Sequence, residues 1–308
     1  GYSGTKVASY ATIAEAAENL GENKWIVISK NYTLTKDFTI PAGVFLDVAK
    51  GATLTIAENV TLTVAADAKR LGVRTGATLV NNGTIMIEEG YSAANPFGYV
   101  MKQDNATFDT TTLTVPAGCI LEQSGQNYYA AKAAFEVTYA DGSTKQIGTD
   151  GSWTDATKVK LLGNVTDFAK TISGVADNFV LDLGGHMLSG KATASMQVLQ
   201  INVPMTIQNG TIKYASSNTD SGALMTSADV TIASDATIDG GAGYAIWTDG
   251  YERTLTVNGT VKSDGYYAIT SNGSENGSLI ADCDITVNDG AAISAPNGIA
   301  IYHPEKGT

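Results

Sequence analysis

Charge is scarce in this chain of 308 residues: 19 basic and 31 acidic side chains make up 16% of it, against about 25% in a typical globular domain. The imbalance leaves a net charge of −12, which excludes nucleic acid as a partner, because phosphate neutralisation needs a cationic surface. The same charge disfavours an anionic membrane. No run reaches the ~18–20 apolar residues of a membrane span, so membrane insertion is not expected. No basic-then-apolar leader opens the chain, and a secreted protein of this sequence has already lost its leader. There are two cysteines, Cys119 and Cys283, far apart in sequence with no Cys or paired His beside them, which excludes a disulfide scaffold and a zinc cluster. Proline (6), histidine (2) and tryptophan (3) are rare too.

Thr is abundant instead, together with 33 Gly. With Val, Ile and Tyr, Thr suits a pleated surface, and the composition is that of an all-β chain. Internal repeats refine this. FTIPAGVFL at 38–46 and LTVPAGCIL at 113–121 match in type at every position. Between them VFLDV at 44–48, ATLTI at 52–56 and VTLTV at 60–64 are evenly spaced, joined by the short linkers AKG and AEN. Strand-length segments with such short links predict a winding coil of three strands per turn, each stacked on its equivalent in the next turn at about 4.8 Å.

The second half repeats on the same scale. GALM at 222–225, GYAI at 243–246, YYAI at 266–269 and GIAI at 298–301 form one series, and MTI, VTI, LTV and ITV starting at positions 205, 230, 255 and 285 form its companion. Asn-Gly-Thr recurs at 82–84, 209–211 and 258–260, where Asn and Gly tolerate left-handed backbone and can turn a corner. A parallel β-solenoid is the expected fold, and a β-sandwich with regularly spaced strands is the competing one.

A module opening recurs further along the chain: Asn31 aligns with Asn164, and Asp47 with Asp182. Apolar spacing at Ile13, Ala16, Ala17 and Leu20 predicts a short helix near 11–20 that covers the open end of the coil. FEVTYADGSTKQI at 135–147 reads as a hairpin turning at Asp141-Gly142. The expected organisation is therefore an N-terminal module over 1–131 and a second module over 132–308. The last coil stops at AIYHPEKGT, where Leu-Thr-Val would follow, so the sequence reads as part of a longer multidomain chain.

LLGNVT with LDLGGHMLSG, and IPAGVFLDVAKGATLTI, resemble coils of right-handed parallel β-helix proteins of the pectate-lyase-like superfamily, of the kind repeated in large bacterial surface and adhesin-like proteins. The resemblance covers most of the chain and implies a right-handed parallel β-helix. Its enzymatic branches use Asp clusters for calcium with an Arg or Lys base, or Asn-x-Asp, Asp-Asp, Gly-His-Gly and Arg-x-Lys in that order. Here the arginines are Arg70, Arg74 and Arg253, and only Asn218-Thr219-Asp220 matches. Glycoside hydrolysis needs two carboxyls ~5–9.5 Å apart; Asp249, Asp264 and Asp282 are conceivable, and nothing singles them out.

Individual residues carry two readings each. His186, in the coil motif, is expected to be structural. Cys119 stands where Val44 stands in the other copy and reads as a small buried hydrophobe. Asp282, Asp284 and Asp289 form either a calcium site or a solvated turn. With the Ala-Ile pairs aligned, Trp247, Thr270 and Tyr302 fall in register. Asp249, Tyr251 and Arg253 follow Trp247 in one loop, and His303 follows Tyr302 in another. If Ile246, Ile269 and Ile301 point inward, Trp247 and Tyr302 point outward. Such a stripe offers flat faces for pyranose rings and polar groups for hydroxyls; alternatively the aromatics pack beneath loops.

The leading expectation is a non-catalytic extracellular or cell-surface β-helix protein that acts in adhesion or binds a polysaccharide or host glycan. No cofactor is expected beyond the calcium possibility. A polysaccharide lyase or glycoside hydrolase acting on acidic, plant or host polysaccharide is the first alternative, and a passive structural stalk the second.

Overall fold

The computed structural model describes residues 8–22, 24–91, 96–190, 197–249, 252–271 and 283–303. They form a parallel β-solenoid, and contacts divide the chain into two compact units, 1–132 and 133–308.

In the first unit each turn of the coil is three short strands. β1 (Trp25–Ile28), β2 (Tyr32–Leu34) and β3 (Phe38–Ile40) make the first turn; β4 (Phe45–Val48), β5 (Thr53–Ile56) and β6 (Thr61–Val64) the second; β7 (Arg70–Val73), β8 (Thr78–Asn81) and β9 (Thr84–Ile87) the third. β10 (Tyr99–Lys102) and β11 (Leu113–Thr114) continue two of the three faces. All of these strands stack in parallel, residue over residue: Ile26, Leu46, Leu71 and Val100 form one inward column and Ile40, Val64 and Ile87 another. Every one of these side chains is buried. The alternating Thr residues of β5 and β6 face the other way and stay partly exposed, as a period of two requires. Parallel in-register pairing rules out the sandwich, whose sheets are antiparallel.

Both copies of the Pro-Ala-Gly repeat make the same turn. Val44 N–H donates to the Pro41 carbonyl and Cys119 N–H to the Pro116 carbonyl, each at 3.1 Å, with Gly43 and Gly118 at φ 69° and 80°. Beyond the turn the two copies diverge. β12 (Cys119–Ser124) folds back antiparallel on β13 (Asn127–Lys132), which itself pairs antiparallel with β10. The second copy thus opens a closing hairpin instead of another coil. Cys119 is only half-buried, a correction to the buried reading, because β12 is the edge of its sheet.

A short helix, α1 (Ile13–Glu18), carries a Thr12/Glu15 capping box. Ile13 is buried in the core of this unit, with Ala16, Ala17 and Leu20 packed against it.

The second unit opens with the hairpin β14 (Phe135–Tyr139) and β15 (Thr144–Ile147). Asp141 accepts from the Ser143 N–H at 2.9 Å, and Gly142 has φ 80°. Then come β16 (Ala156–Leu161) and β17 (Lys170–Ile172); β18 (Phe179–Ser189) and β19 (Leu199–Ile201); β20 (Met205–Lys213) and β21 (Gly222–Thr226). Three-strand turns complete the unit: β22 (Val230–Ile232), β23 (Ala236–Asp239) and β24 (Tyr244–Thr248); β25 (Arg253–Val257), β26 (Thr260–Lys262) and β27 (Tyr267–Ser271); β28 (Cys283–Val287), β29 (Ala292–Ser294) and β30 (Ile299–Ile301). The long strand β20 spans two faces, pairing with β22 through one half and β23 through the other. Leu199, Leu224, Ile246, Ile269 and Ile301 stack in one column, and Leu181, Ile207, Ile232, Val257 and Val287 in another. All but Ile301 and Val287, which belong to the last described turn, are buried.

The aligned asparagines do one job in both units. Asn31 Oδ1 accepts from the Thr53 N–H at 3.0 Å, and Asn164 Oδ1 from the Met187 N–H at 2.9 Å. Each corner side chain satisfies a backbone donor of the next turn.

The Asn-Gly-Thr corners need glycine for two different reasons. Asn209 and Gly210 take positive φ, 58° and 147°. Gly83 and Gly259 do not; a Cβ there would run into backbone carbonyls of the preceding turn, those of Ala57 and Val60 for Gly83 and of Ala233 and Ala236 for Gly259. Gly83→Ala and Gly259→Ala are each expected to cost about 1–3 kcal/mol through overpacking, measured by urea denaturation. An effect below about 0.5 kcal/mol, the size of an ordinary surface substitution, would contradict the close approach.

Candidate functional site

Trp247 lies on β24 directly beside Thr270 of β27. Tyr302 follows Ile301, which pairs with Ile269, and its N–H donates to the Ile269 carbonyl at 2.9 Å. The three residues therefore occupy one column across three adjacent strands. Ile246 and Ile269, the residues just before Trp247 and Thr270, belong to the core. Trp247 is half-buried, edge-on to Tyr244 at 5.1 Å between ring centroids. Its indole N–H has no hydrogen-bond partner among the described residues. Tyr302 is 37% exposed and stacks on Tyr267 at 5.3 Å, 19° from parallel. Thr270 between them is buried. His303 is half-buried, and neither ring nitrogen is hydrogen-bonded among the described residues.

Tyr244 supports this column from the strand start. Its hydroxyl accepts from Gln197 Nε2 at 2.8 Å, and burial, opposed in part by that hydrogen bond, pushes its pKa up to about 12. The phenol is a neutral, fixed wall for the Trp247 ring.

Not all of the expected residues gather here. Asp249 lies just past the end of the same strand, half-buried, with its N–H donating to the Thr226 carbonyl at 2.7 Å. Arg253 is exposed at the start of β25, in the other sheet of the unit, beside Cys283. Tyr251 lies outside the described residues. So does Asp282 of the calcium set; Asp284 is exposed on β28 and Asp289 exposed in the turn after it. Among the described residues no group of three or more His, Cys, Asp or Glu could hold a metal ion. His186 is half-buried on β18, next to Gly210, whose missing side chain leaves room for the His186 carbonyl.

A second constellation of side chains carries no motif in the sequence. In the first unit Trp25, Phe45, Arg70, Tyr99 and Tyr129 occupy one register position on five neighbouring strands. Trp25 stacks on Phe45 at 4.3 Å, and the Arg70 guanidinium lies 4.9 Å from the Phe45 ring centre. Beneath this ladder Asp47, fully buried, accepts from Trp25 Nε1 (2.6 Å), Arg70 Nε (3.2 Å) and Nη2 (3.1 Å), and Arg74 Nη2 (2.7 Å). Burial works against the Arg70 charge, but Asp47 and Tyr99 outweigh it and raise its pKa. Gly72, beside Asp47 on β7, leaves the space that the carboxylate fills. Asp182 is the counterpart in the second unit: burial pushes its pKa up, but Lys158 (2.7 Å), the Gly184 N–H (2.9 Å) and Asn209 (3.1 Å) outweigh burial and hold it below the usual carboxylate value. The ladder residues recur about once per coil; stacking the coils in register before looking for aromatics would have found them.

Comparison with known proteins gives no match to a family model, to a curated protein sequence or to a solved structure. No helix among the described residues is long and apolar enough to cross a membrane.

Proposed function

We propose that this chain is an extracellular or cell-surface β-helix protein that binds glycan and serves adhesion without cleaving its ligand. On this reading the coil winds to the right, as in the pectate-lyase-like proteins it resembles, and α1 closes the open end of the first unit. The observation that supports the reading is the column of Trp247, Thr270 and Tyr302, in which Tyr302 is exposed and Trp247 half-buried. An exposed tyrosine ring held by Tyr267, with the half-buried Trp247 indole in the same column, suits stacking on a pyranose ring.

The test is a polysaccharide and glycan-array screen with the whole chain. Truncating a central aromatic contact costs about 2 kcal/mol or more at a binding hot spot. Trp247→Ala and Tyr302→Ala are therefore each expected to weaken binding at least tenfold, with circular dichroism at the assay temperature confirming that both variants are folded. Binding unchanged in both variants would remove the column from the site, and cleavage of the ligand would favour the lyase or hydrolase reading.

A further inference from the structure

A cavity of about 190 Å³ opens near the start of the second unit, between the 152–154 turn and β17. Trp153, Lys170, Ser152 and Thr154 are among the residues that line it. Trp153 is buried, with ring contacts to Phe135, Phe168 and Phe179 at 5.2, 6.0 and 6.1 Å. Its indole N–H nevertheless has no hydrogen-bond partner among the described residues, an arrangement that normally costs free energy and calls for an explanation. Lys170 extends over the same ring, Nζ 5.1 Å from its centre, and donates to the Gly151 carbonyl at 3.1 Å. Among the described residues no carboxylate lies within ion-pair distance of this ammonium. Burial lowers its pKa, and Asp150, acting from further away, only partly restores it. Ser152 and Thr154 hydroxyls bond each other at 2.9 Å, which leaves one of the two hydroxyl hydrogens for another acceptor.

The cavity wall therefore offers donors to an anion: a half-buried ammonium with hydrogens to spare and the Ser152 and Thr154 hydroxyls, beside the Trp153 ring over which the ammonium lies. No carboxylate or carboxamide side chain lines it. An ammonium at a cavity, with no carboxylate within ion-pair distance among the described residues and only Asp150 acting on it from further away, is the unusual feature on a chain of net charge −12. We propose that this cavity binds the carboxylate group of a small acid or of an acidic end group. Its volume is below the ~300–1,000 Å³ of ordinary ligand pockets, so it accommodates a terminal carboxylate with a few carbons and not the run of a polymer. The inference stands independently of the glycan reading, since it uses none of the same residues.

The experiment follows the three tryptophan indole N–H signals of the whole chain by NMR, with Trp153 assigned through Trp153→Phe. Acetate, glucuronate, glucose and inorganic phosphate are titrated separately. A saturable shift of the Trp153 signal with acetate or glucuronate, absent with glucose, is expected. Lys170→Met is expected to weaken it at least tenfold, and Lys170→Arg to keep most of it; thermal melts confirm that both variants fold. Tighter binding of glucuronate than of acetate would assign a sugar-borne carboxylate, and the reverse a free short acid. No response to either carboxylate, a response to phosphate alone, or a response indifferent to Lys170→Met would overturn the proposal.

Discussion

Asp47→Ala is expected to destabilise the first unit by about 3–5 kcal/mol, the usual cost of removing one partner from a buried ion pair. The Asp47 side chain is fully buried, and it receives hydrogen bonds from two guanidiniums and the Trp25 indole. Without it, Arg70 and Arg74, with side chains only 12% and 24% exposed, lose the carboxylate they share. The aromatic column above loses the group that fixes Trp25. Asp47→Asn keeps the shape but not the charge and is expected to fall between Asp47→Ala and the parent. Urea denaturation followed by fluorescence measures both. A loss below about 1 kcal/mol for Asp47→Ala would mean that the cluster behaves as an exposed surface pair.

Ile207→Ala is expected to cost about 2–5 kcal/mol in the second unit, because it leaves a cavity in a stacked column that can collapse only partially. Ile207 is completely buried between Leu181 and Ile232. Its neighbour Thr206 lies on the opposite face, half-buried between Val180 and Thr231. Thr206→Ala is expected to change stability by no more than about 0.5 kcal/mol, as for substitutions away from the core. The contrast between adjacent residues is the signature of a strand with one face in the core. Equal effects at both positions, read by the same denaturation curves, would contradict the inward assignment.

The coil itself was legible because its period is short and its chemistry regular. The evenly spaced segments over 44–64 are realised as β4, β5 and β6, and the Ala-Ile copies at 243–246, 266–269 and 298–301 pair in the expected register, whereas GALM at 222–225 is one residue out, with Leu224 and not Met225 opposite Ile246. Asn31 and Asn164, aligned on sequence alone, make equivalent hydrogen bonds. The hairpin at 119–132 was not legible: its opening repeats the Pro-Ala-Gly corner, and only the later antiparallel pairing of β12 with β13 departs from a coil. A glycine after asparagine points to left-handed backbone, whereas the role of Gly83 and Gly259 is the absence of a side chain where two turns touch.

For the candidate sites the sequence supplied one column and missed the rest. Trp247, Thr270 and Tyr302 could be aligned because each follows an Ala-Ile pair. The ladder of Trp25, Phe45, Arg70, Tyr99 and Tyr129 follows no shared motif; its members come together only when unequal loops are folded away. Trp153 and Lys170 are likewise separated in sequence by a strand and two turns, and meet through the cation–ring contact. Arg253 shows the converse: close to Trp247 in sequence, it begins a strand of another sheet.

The most direct test of ligand binding without cleavage is a titration of the intact chain into a panel of polysaccharides, with bound protein and polymer length read from the same samples. Saturable binding to at least one polymer, with its length distribution unchanged after prolonged incubation, is the expected result. Shortened polymer, or no binding to any member of the panel, would contradict it.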